Sequence, residues 1–192
     1  MTPATDRPLR ADARRNRARV LEAAEVVFAA KGVSASTEDV ARAAGVGVGT
    51  VFRHFPTKEA LLEALYRGRL QRMAEAARAT ADAEDPGEAF FSLLADAVEH
   101  SATKIAVADA LTKAGVDVHR ASAEESRELT EALTALLLRA QRVGAVRPDL
   151  ALPDLMAVLV GASRAAEHAT SDESRSRVVG LVLDGLKASR SG

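Results

Sequence analysis

The side chains best equipped for chemistry lie between Thr37 and Lys58. Thr37 and Thr50 offer hydroxyls, His54 an imidazole, Arg53 a guanidinium and Lys58 an ammonium. This set donates hydrogen bonds. It suits phosphate oxygens and base edges, since an arginine fork fits guanine O6 and N7 while Lys and Thr take backbone oxygens. Gly45, Gly47 and Gly49 alternate in the same stretch, but no strand precedes them, so they are no dinucleotide-binding fingerprint.

Such donors must be carried on a rigid element. The pattern predicts a short helix after Ser36, an N-cap residue followed by Glu38 and Asp39. Val40, Ala41 and Ala44 form its inner face, and Gly45 stops it. A second short helix follows and ends at Phe55, because Pro56 disfavours helical geometry in the residue before it. Together they fit a helix-turn-helix. Small Ala41 and Ala44 allow a close crossing, and Gly45 supplies a positive φ. Val51 and Phe55 face inward, leaving Gly47, Val48, Gly49, Thr50, Arg53 and His54 for a major groove. An ordinary pair of core helices meets the same description, so the pattern alone leaves both readings open.

Composition narrows the field. Hydrophobic residues make up 47% and aromatics 3% of 192 residues, so the core is built from Leu, Val and Ala, which points to an all-α fold. The net charge of −1 hides an asymmetry: residues 1–72 hold 13 Lys/Arg against 8 Asp/Glu, and residues 73–192 hold 13 against 19. A basic front on an acidic body suits a nucleic-acid reader. The chain has no cysteine, which excludes disulfides, thiolate metal sites and a Cys nucleophile. The four histidines, His54, His100, His119 and His168, lack metal-ligand spacing, and no phosphate loop, HExxH or GxSxG motif occurs. No catalytic residue, metal or cofactor is expected, and the protein is not expected to be an enzyme. Glu22 and Glu25 interrupt the first apolar stretch, so no signal peptide is read, and no segment reaches the ~20 apolar residues of a membrane span. A cytoplasmic protein is expected.

The periodicity predicts about nine helices and no strand. Residues 1–9 read as a flexible arm containing Pro3 and Pro8. Residues 11–31 follow, with Val20, Ala24, Val27 and Phe28 on one stripe and Gly32 as terminator. Thr57 caps a long helix to about residue 81. Further helices are read over 88–100, 104–114, 122–143, 153–168 and 172–186.

Residues 17–65, RARVLEAAEVVFAAKGVSASTEDVARAAGVGVGTVFRHFPTKEALLEAL, resemble the N-terminal domain of the tetracycline-repressor (TetR) family. The resemblance runs in register through Leu21, Ala24, Phe28 and Gly32, then Thr37, Asp39, Val40 and Ala41. It continues through Ala44-Gly45-Val46, Gly49-Thr50, Phe55, Lys58, Glu59 and Leu61. It implies a helix-turn-helix DNA-binding domain at 10–57 and a ligand-sensing and dimerisation domain at 58–192. It implies that Val48, Gly49, Thr50 and Arg53 face bases or the adjacent backbone, and that Thr37, Thr50, Phe52, His54 and Lys58 touch phosphate. Two positions depart from the family pattern. Phe52 stands where Tyr is usual and cannot donate a hydrogen bond, and Gly47 stands where Ser is common. Fewer side-chain base contacts are therefore expected than in an average relative.

The resemblance also implies partners: double-stranded operator DNA, a second copy of the chain through the last two helices, and a small-molecule effector. Repressor action, with effector release from a palindromic operator, follows from the same source. The effector would lie among the middle helices. Phe90, Phe91, Leu94, Val107, Leu111, Leu133, Leu137, Met156 and Leu159 are the candidate lining residues, with Arg164 for an anionic group. Apolar periodicity does not separate a pocket from ordinary core at these positions. Arg10, Arg14, Arg15 and Arg17 are candidate phosphate or minor-groove contacts, against a solvated charged face. His100 and His168 are read as partners of C-terminal helix carbonyls. The alternative to a reader is a helical protein-interaction module that has lost specific DNA binding.

Overall fold

The computed structural model describes residues 6–80, 83–99 and 101–188. Among these it is all-α, with ten helices: α1 (Asp6–Lys31), α2 (Thr37–Ala44), α3 (Val48–His54), α4 (Lys58–Ala79), α5 (Pro86–Glu99), α6 (Ser101–Lys113), α7 (Val118–Ala121), α8 (Ala123–Arg142), α9 (Leu152–Glu167) and α10 (Asp172–Asp184). The helix beyond the nine expected is α7. It is a single turn, too short to carry an apolar period, and is started by Asp117, whose carboxylate accepts from the Arg120 amide at 3.1 Å. The expected arm is also shorter, because α1 begins at Asp6. Pro8 then lies in its first turn, where a missing N–H costs nothing. Residues 1–5, His100 and the side chain of Arg10 lie outside the described residues.

The chain folds into two compact units. One contains residues up to Arg67 together with Ile105–Ala121; the other contains Gly68–Lys104 and residues from Ser122 onward. Packing thus groups the chain differently from the sequence division at 57/58. The first unit takes in the start of α4 and most of α6 with α7. Its core joins Val20, Ala24 and Phe28 of α1 to Val40, Ala41, Val51 and Phe55, closed by Leu61, Leu62 and Leu65 of α4 and by Val107, Leu111 and Val118.

The second unit packs α5, α8, α9 and α10 around Phe90, Leu94, Leu136, Leu137, Leu155 and Leu159. α8 ends where expected. Gly144 adopts φ 71°, and the amides of Gly144 and Ala145 return to the carbonyls of Gln141 and Ala140, both at 3.0 Å. The following loop is tied to the end of the described chain: Arg147 N donates to Leu186 O at 3.0 Å and Ala188 N to Ala145 O at 3.1 Å. That loop presses on the start of α5. A Cβ added to Gly87 would stand 2.6 Å from Ala145 Cβ, which is fixed to backbone and cannot swing aside. Gly87→Ala is therefore expected to destabilise the protein by about 1–3 kcal/mol of overpacking, less the helix propensity gained, up to about 1 kcal/mol. Urea denaturation checks this, and an unchanged midpoint would mean the loop yields.

Candidate nucleic-acid interface

α2 is built as a stiff support. Ser36 Oγ accepts from the Asp39 amide at 3.1 Å, and Asp39 Oδ2 accepts from the Ser36 amide at 3.3 Å, so the two residues cap one another. Asp39 also holds Lys31 of α1 at 3.0 Å and Arg42 at 3.1 Å. The hydrogen bond from Lys31, and then that from the Ser36 amide, hold the Asp39 carboxyl below its ordinary value. A lowered carboxylate pKa stabilises the fold above the unfolded value near pH ~4, and that contribution fades as pH falls through the folded pKa. Ser36→Ala removes one half of the cap and is expected to cost about 1 kcal/mol, read from the shift of a denaturation midpoint at neutral pH.

Gly45 makes the turn. At φ 63° and ψ 37° it is left-handed, and the amides of Gly45 and Val46 return to the carbonyls of Arg42 and Ala41 at 3.2 and 3.0 Å. The Ala44 carbonyl is taken by Arg19 of α1, whose Nη2 donates to it at 2.7 Å. α3 then starts at Gly47, which supplies no side-chain cap. It ends at Phe55, whose extended backbone (φ −136°) precedes Pro56. Val51 and Phe55 are buried, so that side of α3 faces the core.

The expected contact residues are distributed as follows. Arg53 and Gly49 are exposed, Phe52 is 42% exposed, and Thr50 and His54 are half-buried. Among the described residues the Arg53 guanidinium has no hydrogen-bond or ion-pair partner. Val48 is half-buried against the core and is less available to a base edge than its helix position suggests. Thr37 is only 8% exposed, so its side chain serves α2 more than a surface. Lys58 opens α4 beside its cap, Thr57 Oγ1, which accepts from the Ala60 amide at 3.1 Å; the Lys58 ammonium lies 5.9 Å from the Phe28 ring centre.

The arginines of α1 divide. Arg14 is exposed, Arg15 pairs with Asp12, and the Arg17 guanidinium lies 5.1 Å above the Phe55 ring. Sequence reading missed the internal contacts of Arg17 and Arg19. Their only signal was position: both lie within three residues before Val20, the first buried residue of the α1 stripe.

The proposed effector residues divide between the cores of the two units. Val107 and Leu111 belong to the core of the first unit. Phe90, Leu94, Leu137 and Leu159 belong to the core of the second, with Phe91 and Met156 packed against it; Leu133 is also buried. Phe90 and Phe91 meet edge to face at 5.3 Å. Arg164 is exposed on α9, 3.7 Å from Glu167. His168 Nδ1 lies 2.8 Å from the Arg164 carbonyl at the end of the same helix, as its position suggested.

Comparison with known proteins agrees with this geometry. Residues 20–65 match the family of bacterial regulatory proteins of the tetR type, and residues 85–188 match the C-terminal domain of SbtR-like transcriptional regulators. The chain is 27% identical over 184 residues to the HTH-type transcriptional repressor KstR2 of Rhodococcus jostii, covering 88% of this chain and 90% of that protein. A TetR transcription regulatory protein from Mycobacterium vanbaalenii is 42% identical and superposes with a TM-score of 0.75 over 94% of this chain and all (100%) of that one. A TetR transcriptional regulator from Streptomyces coelicolor is 32% identical, with a TM-score of 0.70 over 90% of this chain and 99% of that one. No helix among the described residues is long and apolar enough to cross a membrane. With both halves matched in order and a helix-turn-helix built around Gly45, the chain belongs to the TetR family and is a DNA-binding transcriptional regulator.

Proposed function

We propose that this regulator is a cytoplasmic repressor that reads a palindromic operator as a homodimer and leaves it when a small molecule binds. In this reading residues 10–57 form the DNA-binding domain, joined at its edge by Lys58, and residues 58–192 hold the effector and dimerisation functions without catalysing a reaction. One observation carries it: α3 spends Val51 and Phe55 on the core and leaves Arg53 exposed with no partner among the described residues. Thr50, Phe52, His54 and Lys58 would take the flanking phosphates, and Gly49 would let the backbone approach the groove.

The dimer reading rests on α10. It holds Val178, Val179, Leu181, Val182 and Leu183, yet none of its residues is fully buried and Leu181 is 70% exposed. Val160 of α9 is 54% exposed. A second copy would cover these side chains, and its two-fold axis would set the palindrome. The effector is assigned to the second unit, at the Phe90, Phe91, Leu94 and Met156 region. Val107 and Leu111 are left out because they close the other core.

The test is a mobility shift on DNA upstream of its own gene across a salt series, with sedimentation of the free protein. Sequence-preferring, salt-sensitive binding by a dimer is expected. A monomer at micromolar concentration, or equal affinity for random DNA, would overturn the reading.

A further inference from the structure

Arg17 is a candidate phosphate contact in sequence, and both it and Arg19 make contacts within the fold. Arg19 Nη2 donates to the Ala44 carbonyl at 2.7 Å in a part-buried bond between residues 25 apart in the chain. That carbonyl is the last of α2. The amides of Gly45 and Val46 return to Arg42 and Ala41, leaving Ala44 without a backbone donor of its own. The guanidinium lies close over the turn: a Cβ at Gly45 would come within 3.2 Å of the same Nη2 atom. Arg17, two residues earlier, sets its guanidinium 5.1 Å from the centre of the Phe55 ring. Phe55 is the residue that ends α3. Thus α1 touches the entrance to α3 through Arg19 and its exit through Arg17. Between them lies the short helix whose rotation decides which side chains reach a groove.

We propose that Arg19 and Arg17 are positioning residues of the DNA reader, which fix the orientation of α3 and do not anchor phosphates. The proposal rests on the reading of α3 as the base-contacting helix. Neutralising a phosphate ligand and loosening a support leave different signatures. A lost phosphate contact weakens all DNA alike and lowers the salt slope by about 0.9 per contact. A misplaced α3 loses base contacts and so loses the preference for one sequence.

The experiment compares wild type, Arg19→Met, Arg19→Lys and Arg17→Met. The probes are a duplex selected from a random pool by the wild-type protein and a scrambled duplex, each titrated across a salt series. Amide hydrogen exchange of the free proteins is measured alongside. Arg19→Met is expected to lower the selected-to-scrambled affinity ratio by about tenfold, with an unchanged salt slope. Its Gly45 and Val46 amides are expected to exchange faster than in wild type, with the amides of α9 unaffected. Arg19→Lys, which keeps a donor and the charge, is expected to fall between the two in exchange rate. Arg17→Met is expected to speed exchange at Phe55. A salt slope lowered by about 0.9, with both duplexes weakened equally and exchange unchanged, would overturn the proposal. Were the wild-type protein to select no duplex, the reading of α3 would fail, and the exchange rates would still decide whether Arg19 and Arg17 hold the turn.

Discussion

Phe90→Ala is expected to cost about 3–5 kcal/mol of stability and to lower the melting temperature by roughly 6–20 °C. Phe90 is fully buried in the second unit, with Leu94, Leu137, Leu155 and Leu159 in the same core and Phe91 edge to face against it. Truncation removes the whole ring, and α5, α8 and α9 cannot all close on the space. Phe52→Ala serves as the control. That ring is 42% exposed, so its loss should move stability by no more than about 0.5 kcal/mol. The size of the Phe90 effect also bears on the effector. Were the cost below about 1 kcal/mol, Phe90 would already border free volume, and the assignment of a small-molecule site beside it would gain support.

Arg53→Ala is expected to weaken binding to the selected duplex by about 1–3 kcal/mol, roughly 5- to 150-fold, for each half-site, while leaving random DNA nearly unchanged. Arg53 is exposed in the last turn of α3 and is the long bidentate donor on that helix. Gly47, Val48 and Gly49 bring no hydrogen-bonding side chain, so in the proposed reading discrimination would fall heavily on this one guanidinium. Its substitution should leave the melting temperature within the range of a surface change. Lys58→Ala should behave differently, weakening selected and random duplexes together and lowering the salt slope by about 1. Equal loss on both duplexes for Arg53→Ala would move that residue to the phosphate class.

The elements of this fold were legible wherever local chemistry dictates them. Gly32, Gly45 and Gly144 end helices at positive φ, Ser36 and Ser171 accept from the third residue after them, and Pro56 follows the end of α3. The stripe of Val20, Ala24, Val27 and Phe28 is buried because its spacing leaves it no other face. Long-range choices were not legible. Val107 and Leu111 have the same apolar period as Leu133 and Leu137, and only tertiary packing sends the first pair to one core and the second to the other unit. The contacts of Arg17 and Arg19 within the fold were hidden for the same reason. A guanidinium in a basic run shows its charge in the sequence, whereas its partner, here a carbonyl at Ala44 or a ring at Phe55, is set by the fold. The single turn of α7 carries too few residues for any period to register.

The first unit is discontinuous in sequence: its core needs Val107, Leu111 and Val118, which follow the excursion Gly68–Lys104. During synthesis the helix-turn-helix therefore emerges well before the residues that complete its core. At about 5–20 residues per second, the wait for Ile105–Ala121 lasts several seconds. A nascent chain stopped after α4 would hold α1–α3 without Val107, Leu111 and Val118 of their shared core. A regulator assembled in this order completes the core behind α3 only after Gly68–Lys104 of the second unit has also been made. Truncated translation products would then be poor competitors for the operator.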